Sequence, residues 1–224
     1  MLNRRITIFT GHFGSGKTEL AIHFALEALK SNPKVAIADL DVINPYFRTR
    51  DVADFLSKNG IDLIAPPKKW ASSDLPIVSG DIYRYIHDEE YVLIVDSGGD
   101  KDGATALSQY YHEWKALGVD MLFVLNANRP NVSTTEGVVN AMKRIEEAVR
   151  MKVTGMINNT NVSSESTVED FKRGIDLCHE VTGITGIPLV ASTVMEDLYS
   201  EVKELDVDHP VFGIQRFMRT PWDY

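Results

Sequence analysis

Short apolar runs alternate along this chain with longer stretches in which apolar and polar residues recur at helical spacing. Apolar runs bounded by Gly, Pro or Asp predict buried strands, and stretches rich in Ala and Leu predict helices. The predicted strands cover residues 6–9, 35–38, 61–64, 91–95, 121–125, 153–157 and 188–190. The predicted helices cover residues 19–29, 52–56, 77–86, 104–117, 134–150 and 168–181. This alternation is typical of an α/β three-layer sandwich with a mostly parallel central sheet, and the region from Met195 onward gives no assignment.

The composition changes this picture little but narrows the kinds of partner. Hydrophobic residues make up 44% of the 224, no linker-like stretch interrupts them, and we expect a single domain over residues 1–224. The net charge of -9 argues against a nucleic-acid partner or an anionic membrane. Cys178 is the sole cysteine, so an internal disulfide is excluded. No apolar run reaches transmembrane length and none after residues 1–5 fits a signal peptide, so we expect a cytoplasmic protein.

One sequence motif indicates a chemical function that the pattern of apolar and polar residues does not. Gly11-His12-Phe13-Gly14-Ser15-Gly16-Lys17-Thr18 fits G-x-x-x-x-G-K-[ST] and lies between a predicted strand and a predicted helix. Such a P-loop lets successive backbone N–H groups, Glu19 among them at the start of the helix, point at phosphate oxygens. Lys17 supplies a charge for the β- and γ-phosphates, and the Thr18 hydroxyl can bind Mg²⁺. The motif therefore predicts the P-loop NTPase fold and a site for a nucleotide.

Polar residues also end other predicted strands, at the sheet edge where open α/β sheets bind ligands. Asp96 follows an apolar run and fits a Walker B acid that holds Mg²⁺ opposite Thr18. Gly99 can offer its N–H to a γ-phosphate and let its loop move when that phosphate leaves. Asp39 and Asp41 alternate at another strand end, so only one is expected to face the phosphates. We assign Asp41 to orienting the attacking water and Asp39 to the metal's water shell, although both can also be surface carboxylates without a role.

Three segments together resemble the MinD/ParA/nitrogenase-iron-protein group of P-loop ATPases. They are Gly11 to Thr18, Ala38-Asp39-Leu40-Asp41 and Asp96-Ser97-Gly98-Gly99. Within that group the chain resembles the small MinD-like branch that includes the nickel-insertion ATPases of carbon monoxide dehydrogenase. The resemblance implies ATP/ADP with Mg²⁺, an ATP-dependent homodimer, a water-positioning Asp41 and a switch II loop at Gly99. It also implies that an asparagine at a strand end contacts adenine, for which Asn158 is the nearest match.

The chain departs from the group at three places. His12 stands where the group carries a second lysine that reaches into the partner's site, and an imidazole is a poorer charge for phosphate. The metal-binding cysteines of the relatives are absent, and Cys178 is expected to be a buried, inert thiol. Residues 211–218 contain a glycine and precede Pro221, so we expect them to dock on the core instead of forming a membrane helix.

Three functions compete at this stage. The first is a slow ATP hydrolase that acts as a nucleotide-driven switch on an unknown protein client, with metalloenzyme maturation as one possibility. The second is a small-molecule kinase or ATP-dependent ligase of the dethiobiotin-synthetase type, for which no lid insertion is obvious, although residues 66–74 can serve as one. The third is a nucleotide sensor with little turnover. ATP is favoured over GTP because no Asn-Lys-x-Asp motif occurs, while Asn126 can either contact the base or form an Asx turn.

Two further groups of residues are less decisive. Tyr46, Phe47, Arg48 and Arg50 follow Asp41 and can either meet a partner or pack on the core. The histidines other than His12 show no H-x-x-x-H spacing, so a metal site built from them is not expected.

Overall fold

Eight parallel strands form one sheet in the described part of this computed structural model, which comprises residues 4–41, 49–65, 81–99 and 101–218. The strands are β1 (Ile6–Thr10), β2 (Val35–Leu40), β3 (Ile61–Ile64), β4 (Val92–Ser97), β5 (Asp120–Leu125), β6 (Gly155–Asn158), β7 (Leu189–Met195) and β8 (Val211–Ile214). Their order across the sheet is β3-β2-β4-β1-β5-β6-β7-β8. The predicted α/β class with a mostly parallel sheet is confirmed.

Eight α-helices connect the described strands or flank them. They are α1 (Lys17–Leu29), α2 (Ala53–Lys58), α3 (Ile82–His87), α4 (Lys101–Ser108), α5 (Tyr111–Leu117), α6 (Thr135–Val149), α7 (Val168–Thr185) and α8 (Glu196–Lys203). Among these described helices, none is long and apolar enough to cross a membrane. The predicted lid at residues 66–74, the start of the predicted helix at 77–80 and Tyr46 to Arg48 lie outside the described residues, as does the side chain of Arg50.

The helix predicted over residues 104–117 is two helices. Tyr110 leaves helical geometry between α4 and α5, with φ -108° and ψ 20°. The Trp114 indole N–H donates to the Leu107 carbonyl at 3.0 Å, which satisfies a carbonyl at the end of α4. Trp114 is fully buried, so packing of this ring against the core holds the break in place.

The C-terminal region, to which no element was assigned from the sequence, continues the sheet. β7 extends beyond the predicted residues 188–190, and α8 crosses from it to β8 at the sheet edge. Val211 pairs with Ser192 at the start of that pairing. The expectation that residues 211–218 dock on the core is confirmed, since Ile214 and Met218 are buried against the α1 side of the sheet.

Both faces of the sheet are covered, which explains the continuous apolar strands. Neighbouring residues of β1 enter different cores: Ile8 packs on the side of α6, and Phe9 packs on the side of α1. A sheet buried on both faces leaves its edges and strand ends for polar side chains. Asp39 and Asp96 are paired residues near the carboxyl ends of β2 and β4, so the fold itself places two carboxylates side by side.

Candidate nucleotide site

The P-loop ends in a glycine with a positive φ, directly before α1 begins. Gly16 is the N-cap residue, with φ 88° and ψ 22°. A Cβ at this position would lie 2.3 Å from Asn159 Nδ2, so a side chain is excluded by space as well as by conformation. Asn159 Nδ2 donates to the Ser15 carbonyl at 2.7 Å, and Arg129 Nε donates to the Gly14 carbonyl at 2.8 Å. Residues that follow β6 and β5 therefore stabilise the conformation of the P-loop.

Lys17 and Thr18 begin α1 with their side chains directed at the loop and at β4. Lys17 is only 6% exposed, and its Nζ donates to the His12 carbonyl at 3.2 Å. The Thr18 hydroxyl donates to Asp96 Oδ2 at 2.8 Å. A helix N-terminus whose first-turn amides point into a loop of this kind is suited to binding phosphate. The structure thus brings together the cation, the hydroxyl and the acid that the sequence predicted.

Asp96 is a buried carboxylate with two hydroxyl partners on one oxygen. Its Oδ2 accepts from Thr18 and, at 2.9 Å, from the fully buried Thr49. Its Oδ1 is buried without a hydrogen-bond partner among the described residues. Burial, followed by the charge of the neighbouring Asp39, raises the pKa of Asp96 to about 7.

A hydrated Mg²⁺ fits these residues. Asp96 Oδ1 lacks a partner, a hydroxyl that can bind the ion lies on the other oxygen, and oxygen ligands are those that Mg²⁺ prefers. A cation here would also offset the repulsion between Asp96 and Asp39. Thr18 and Asp96 are the residues that would hold the ion.

Asp39 and Asp41 occupy different depths. Asp39 is fully buried beside Asp96, and its Oδ1 accepts from the Asp41 backbone N–H at 3.2 Å. Asp41 lines the cavity described below, together with Lys17 and Thr18. Of these two carboxylates, Asp41 is therefore the one beside the phosphate-binding loop, whereas Asp39 lies beneath the site.

Gly99 approaches the P-loop closely. A Cβ at residue 99 would lie 2.6 Å from the Phe13 backbone nitrogen and 2.7 Å from Lys17 Nζ. Contacts this short do not occur for real side chains, so the loop after β4 can lie on the P-loop only with glycine here. Gly99 is consequently placed beside the atoms expected to bind a terminal phosphate.

A cavity of about 440 Å³ opens next to the P-loop at the carboxyl ends of the strands. Its walls come from the P-loop, the ends of β5 and β6 and the C-terminal segment, and its lining residues include Phe13, Asn126, Arg129, Asn159, Asn161, Ser163, Met195, Ile214 and Met218. A larger cavity of about 610 Å³ lies at the opposite edge, beside Arg5 and Tyr91. Ligands of open α/β sheets bind at the carboxyl edge, which favours the smaller cavity for a nucleotide.

The expectation that Asn158 contacts the base is not met by the structure. Its side chain is fully buried, its Nδ2 donates to the Phe171 carbonyl at 3.1 Å, and its Oδ1 accepts from the Thr160 N–H at 3.1 Å. Asn158 therefore fixes α7 to the sheet. Asn126 forms the Asx turn that was one of its two interpretations, because its Oδ1 accepts from the Asn128 N–H at 3.0 Å.

The Glu19 side chain binds the C-terminal segment, residues 214–218. Its carboxylate accepts from the backbone N–H groups of Phe217 at 3.0 Å and Met218 at 2.8 Å, and burial raises its pKa. One turn further along α1, His23 Nε2 lies 2.7 Å from the Gln215 carbonyl oxygen and 2.9 Å from the Gln215 backbone nitrogen. The Glu19 carboxylate thus fastens a wall of the cavity to α1, and the contact expected from its backbone N–H to phosphate stays a prediction.

Two other expectations concern single side chains. His12 is half-buried, and its Nε2 lies 3.4 Å from Asn131 Nδ2 in the loop after β5. Cys178 is fully buried, which raises the pKa of its thiol to about 12 and confirms the inert thiol expected there.

Sequence reasoning missed three residues of the site: Thr49, Arg129 and Asn159. Asn159 directly follows Asn158, the residue that was assigned to contact the base. The alternation of side chains along a strand is the signal that separates the two. Thr49 and Arg129 come from irregular segments whose path no periodicity specifies. These residues tie other loops to the P-loop or to Asp96, so the site depends on contacts between distant segments.

Comparison with protein-family models finds no match, and comparison with curated proteins finds none either. Among solved structures, the cell division protein FtsY of Thermotoga maritima is similar over 86% of this chain and 62% of its own, with a TM-score of 0.62 and 21% identity. The signal recognition particle receptor FtsY of Elizabethkingia anophelis, in complex with GDP, is similar over 87% and 58%, with a TM-score of 0.59 and 16% identity. The 54 kDa signal recognition particle protein of Aeropyrum pernix K1, also with GDP, is similar over 82% and 40%, with a TM-score of 0.51 and 18% identity.

These similarities show that the chain shares the α/β fold of these structures, two of which are complexes with GDP. The chain spans between 40% and 62% of the lengths of the three structures. At such identities the likeness concerns the fold, and the narrower resemblance to the MinD/ParA group stays a prediction.

The buried charge of Asp96 predicts a stability that depends on pH. A folded-state pKa of about 7 lies above the ordinary carboxyl value of about 3.9, so the stability from this group is present below pH ~4 and is lost as the pH rises to 7. Without Mg²⁺ and nucleotide, Asp96→Asn should be more stable than wild type at pH 8, by up to ~1.4 kcal/mol for each unit of pKa shift, and the gain should shrink toward pH 4.

Urea denaturation at the two pH values measures this difference. Asp176→Asn, at an exposed position on α7, is the control and should show no such dependence. Equal destabilisation of Asp96→Asn at both pH values would contradict the prediction.

Proposed function

We propose that the protein is an Mg²⁺-dependent ATP-binding switch that hydrolyses ATP slowly and acts on a protein client. The observation that carries the proposal is the convergence of Thr18 and Thr49 on one oxygen of Asp96. Thr18 belongs to the phosphate-binding helix, and Thr49 belongs to the chain beyond β2. A ligand that binds Asp96 acts on the same carboxylate that holds Thr49, so we expect occupancy of the site to influence that second segment.

Hydrolysis can be derived from the positions of the chain's own groups. The amides of the P-loop and of the first turn of α1 bind the phosphate oxygens, and Lys17 offsets their charge. Bound Mg²⁺, held by Thr18 and Asp96, would supply further charge neutralisation at the phosphates. Asp41, at the cavity wall, orients a water molecule and accepts its proton. Gly99 places its backbone beside Lys17, where the terminal phosphate is expected.

The chemistry of the cavity supports adenine as the base. A guanine site uses a carboxylate to accept from the N–H groups at the base edge, and the cavity's carboxylates among the described residues are Glu19 and Asp41. Glu19 is bound to the C-terminal segment, and Asp41 lies at the phosphate end. Asn161 and Ser163 bring amide and hydroxyl groups to the wall instead, beside the apolar surfaces of Met195 and Met218.

An ATP-dependent homodimer is the proposed form of the switch. Phe13 is 58% exposed in the P-loop, and the neighbouring His12 is half-buried. A large exposed aromatic beside the phosphate site supports a protein contact over this face. The acidic net charge of -9 supports a protein client over nucleic acid or an anionic membrane.

Removing the P-loop cation tests whether this is a phosphate site. We expect Lys17→Ala to bind ATP roughly 10- to 100-fold more weakly, because a charged hydrogen bond contributes about 1.5–3 kcal/mol. Isothermal titration calorimetry with Mg·ATP and Mg·GTP measures the loss and the choice of base. Lys172→Ala, at an exposed position on α7, is the matched control. Unchanged ATP affinity in Lys17→Ala would refute the site assignment.

A carboxylate substitution separates binding from turnover. Asp41→Asn should keep Mg·ATP affinity within a few-fold and lower the steady-state release of phosphate by roughly 10²-fold or more, the scale of losing a positioned base. Asp39→Asn is the comparison, because that carboxylate lies beneath the site. A loss of turnover in Asp39→Asn alone would reverse the two assignments. Wild-type binding without phosphate release would favour a nucleotide sensor, and phosphate transfer to a small molecule would favour a kinase.

The dimer is tested at residue 12. If ATP brings two subunits face to face across the P-loop, a lysine at this position meets the partner's phosphates with a full charge. We expect His12→Lys to strengthen the dimer formed with a non-hydrolysable ATP analogue, measured by sedimentation velocity. His112→Lys adds the same charge at an exposed position on α5 and should leave association unchanged. Monomeric profiles for both wild type and His12→Lys, with nucleotide binding demonstrated, would exclude this dimer.

A further inference from the structure

A cluster of two histidines and a carboxylate lies apart from the nucleotide cavity. One ligand atom from each of His179, Asp208 and His209 lies within 4.8 Å of the others. His179 is on α7, and the other two residues immediately precede Pro210 and β8. None of the three lines the cavity at the P-loop.

The fold holds the two halves of the cluster in place. The Ser192 backbone N–H on β7 donates to the Pro210 carbonyl at 2.9 Å, next to the first residue pair between β7 and β8. On the other side, the fully buried Cys178 fixes the turn of α7 from which His179 projects. The exposed surface of the helix therefore faces a turn that is tied to the sheet edge.

The buried hydroxyl of Ser192 on β7 orients the imidazole ring of His209. Its side chain is only 5% exposed, with Nε2 2.7 Å from Ser192 Oγ and Nδ1 3.0 Å from Asp208 Oδ1. Ser192 is fully buried, so this Ser–His–Asp arrangement cannot present a nucleophile to a substrate. The hydroxyl can instead accept a hydrogen bond from Nε2–H, in the tautomer whose Nδ1 lone pair can bind an ion. A hydrogen bond of this kind to the second ring nitrogen is what orients a metal-binding histidine.

We propose that His179, Asp208 and His209 form a surface site for a divalent transition-metal ion such as Zn²⁺. Two imidazoles and a carboxylate are a ligand set that zinc accepts, and water completes the tetrahedron. Zinc bonds of about 2.0–2.1 Å require ligand atoms roughly 3.3 Å apart, so the cluster must contract on binding. Asp208, whose side chain is 85% exposed, and the exposed His179 can move toward the fixed His209.

The charge of the cluster agrees with this site. Asp208 brings an exposed carboxylate to the two imidazoles, with its Oδ1 3.0 Å from His209 Nδ1, and supplies the negative charge of the ligand set. The bound ion would link α7 to the turn before β8. Sequence spacing missed the site because His179 and His209 are far apart along the chain and meet only through α7, β7 and the return to β8.

Titration of the full chain with Zn²⁺ tests the proposal. Millimolar Mg²⁺ keeps Asp96 and its neighbours occupied, and competition with a chromophoric zinc indicator gives affinity and stoichiometry. We expect one Zn²⁺ per chain, with affinity lowered at least roughly 10-fold in His179→Ala and in Asp208→Asn. Both changes lie at exposed positions, so folding should persist. His112→Ala removes an exposed histidine on α5 and should bind like wild type.

Two further readouts separate a built site from loose surface binding. Co²⁺ in the site should give the strong visible absorption of a four-coordinate complex, and Zn²⁺ should raise the Tm of wild type but not of His179→Ala. Ser192→Ala, which removes the partner of His209 Nε2, should weaken binding by roughly 10- to 100-fold. Absence of Zn²⁺ binding to wild type, or equal affinity in wild type, His179→Ala and Asp208→Asn, would overturn the proposal.

Discussion

The burial of the Asp96 carboxylate at the end of β4 is the constraint on which the phosphate end of the site depends. β4 lies between β2 and β1, so this carboxylate meets the acidic end of one neighbour and the P-loop that leaves the other. Burial and the proximity of Asp39 disfavour its charge, while two hydroxyls converge on one of its oxygens. Without a ligand, the buried negative charge of Asp96 costs free energy, and a bound cation would offset that cost.

The parallel sheet explains why these groups meet. Both faces are covered by helices, so polar side chains gather at the carboxyl edge, where successive connections leave the strands. The same edge receives the C-terminal segment, which Glu19 and His23 fasten to α1. The nucleotide cavity therefore has one wall from motifs near the start of the chain and another from residues late in it.

The sequence predicted the parts of this site that depend on local geometry. The P-loop has a fixed spacing, and Asp96 ends a continuous apolar run, so both could be located from residue order. Asn158 was chosen over Asn159 although the alternation of side chains along a strand directs the two residues to opposite sides. β6 begins at Gly155, two residues later than predicted, and its pairing with β7 is irregular between Met156 and Ile157. Thr49 and the break at Tyr110 depend on packing against distant residues, which periodicity does not encode.

The fastening of the C-terminal segment to α1 has a consequence for biosynthesis. The P-loop and α1 are synthesised before Gln215, Phe217 and Met218, whose backbone groups contact His23 and Glu19. Until then the buried side of Glu19 faces solvent and the cavity lacks the wall that Ile214 and Met218 provide. A growing chain can therefore fold its phosphate-binding loop before it can enclose a ligand, because the cavity is closed only once residues 214–218 have been made.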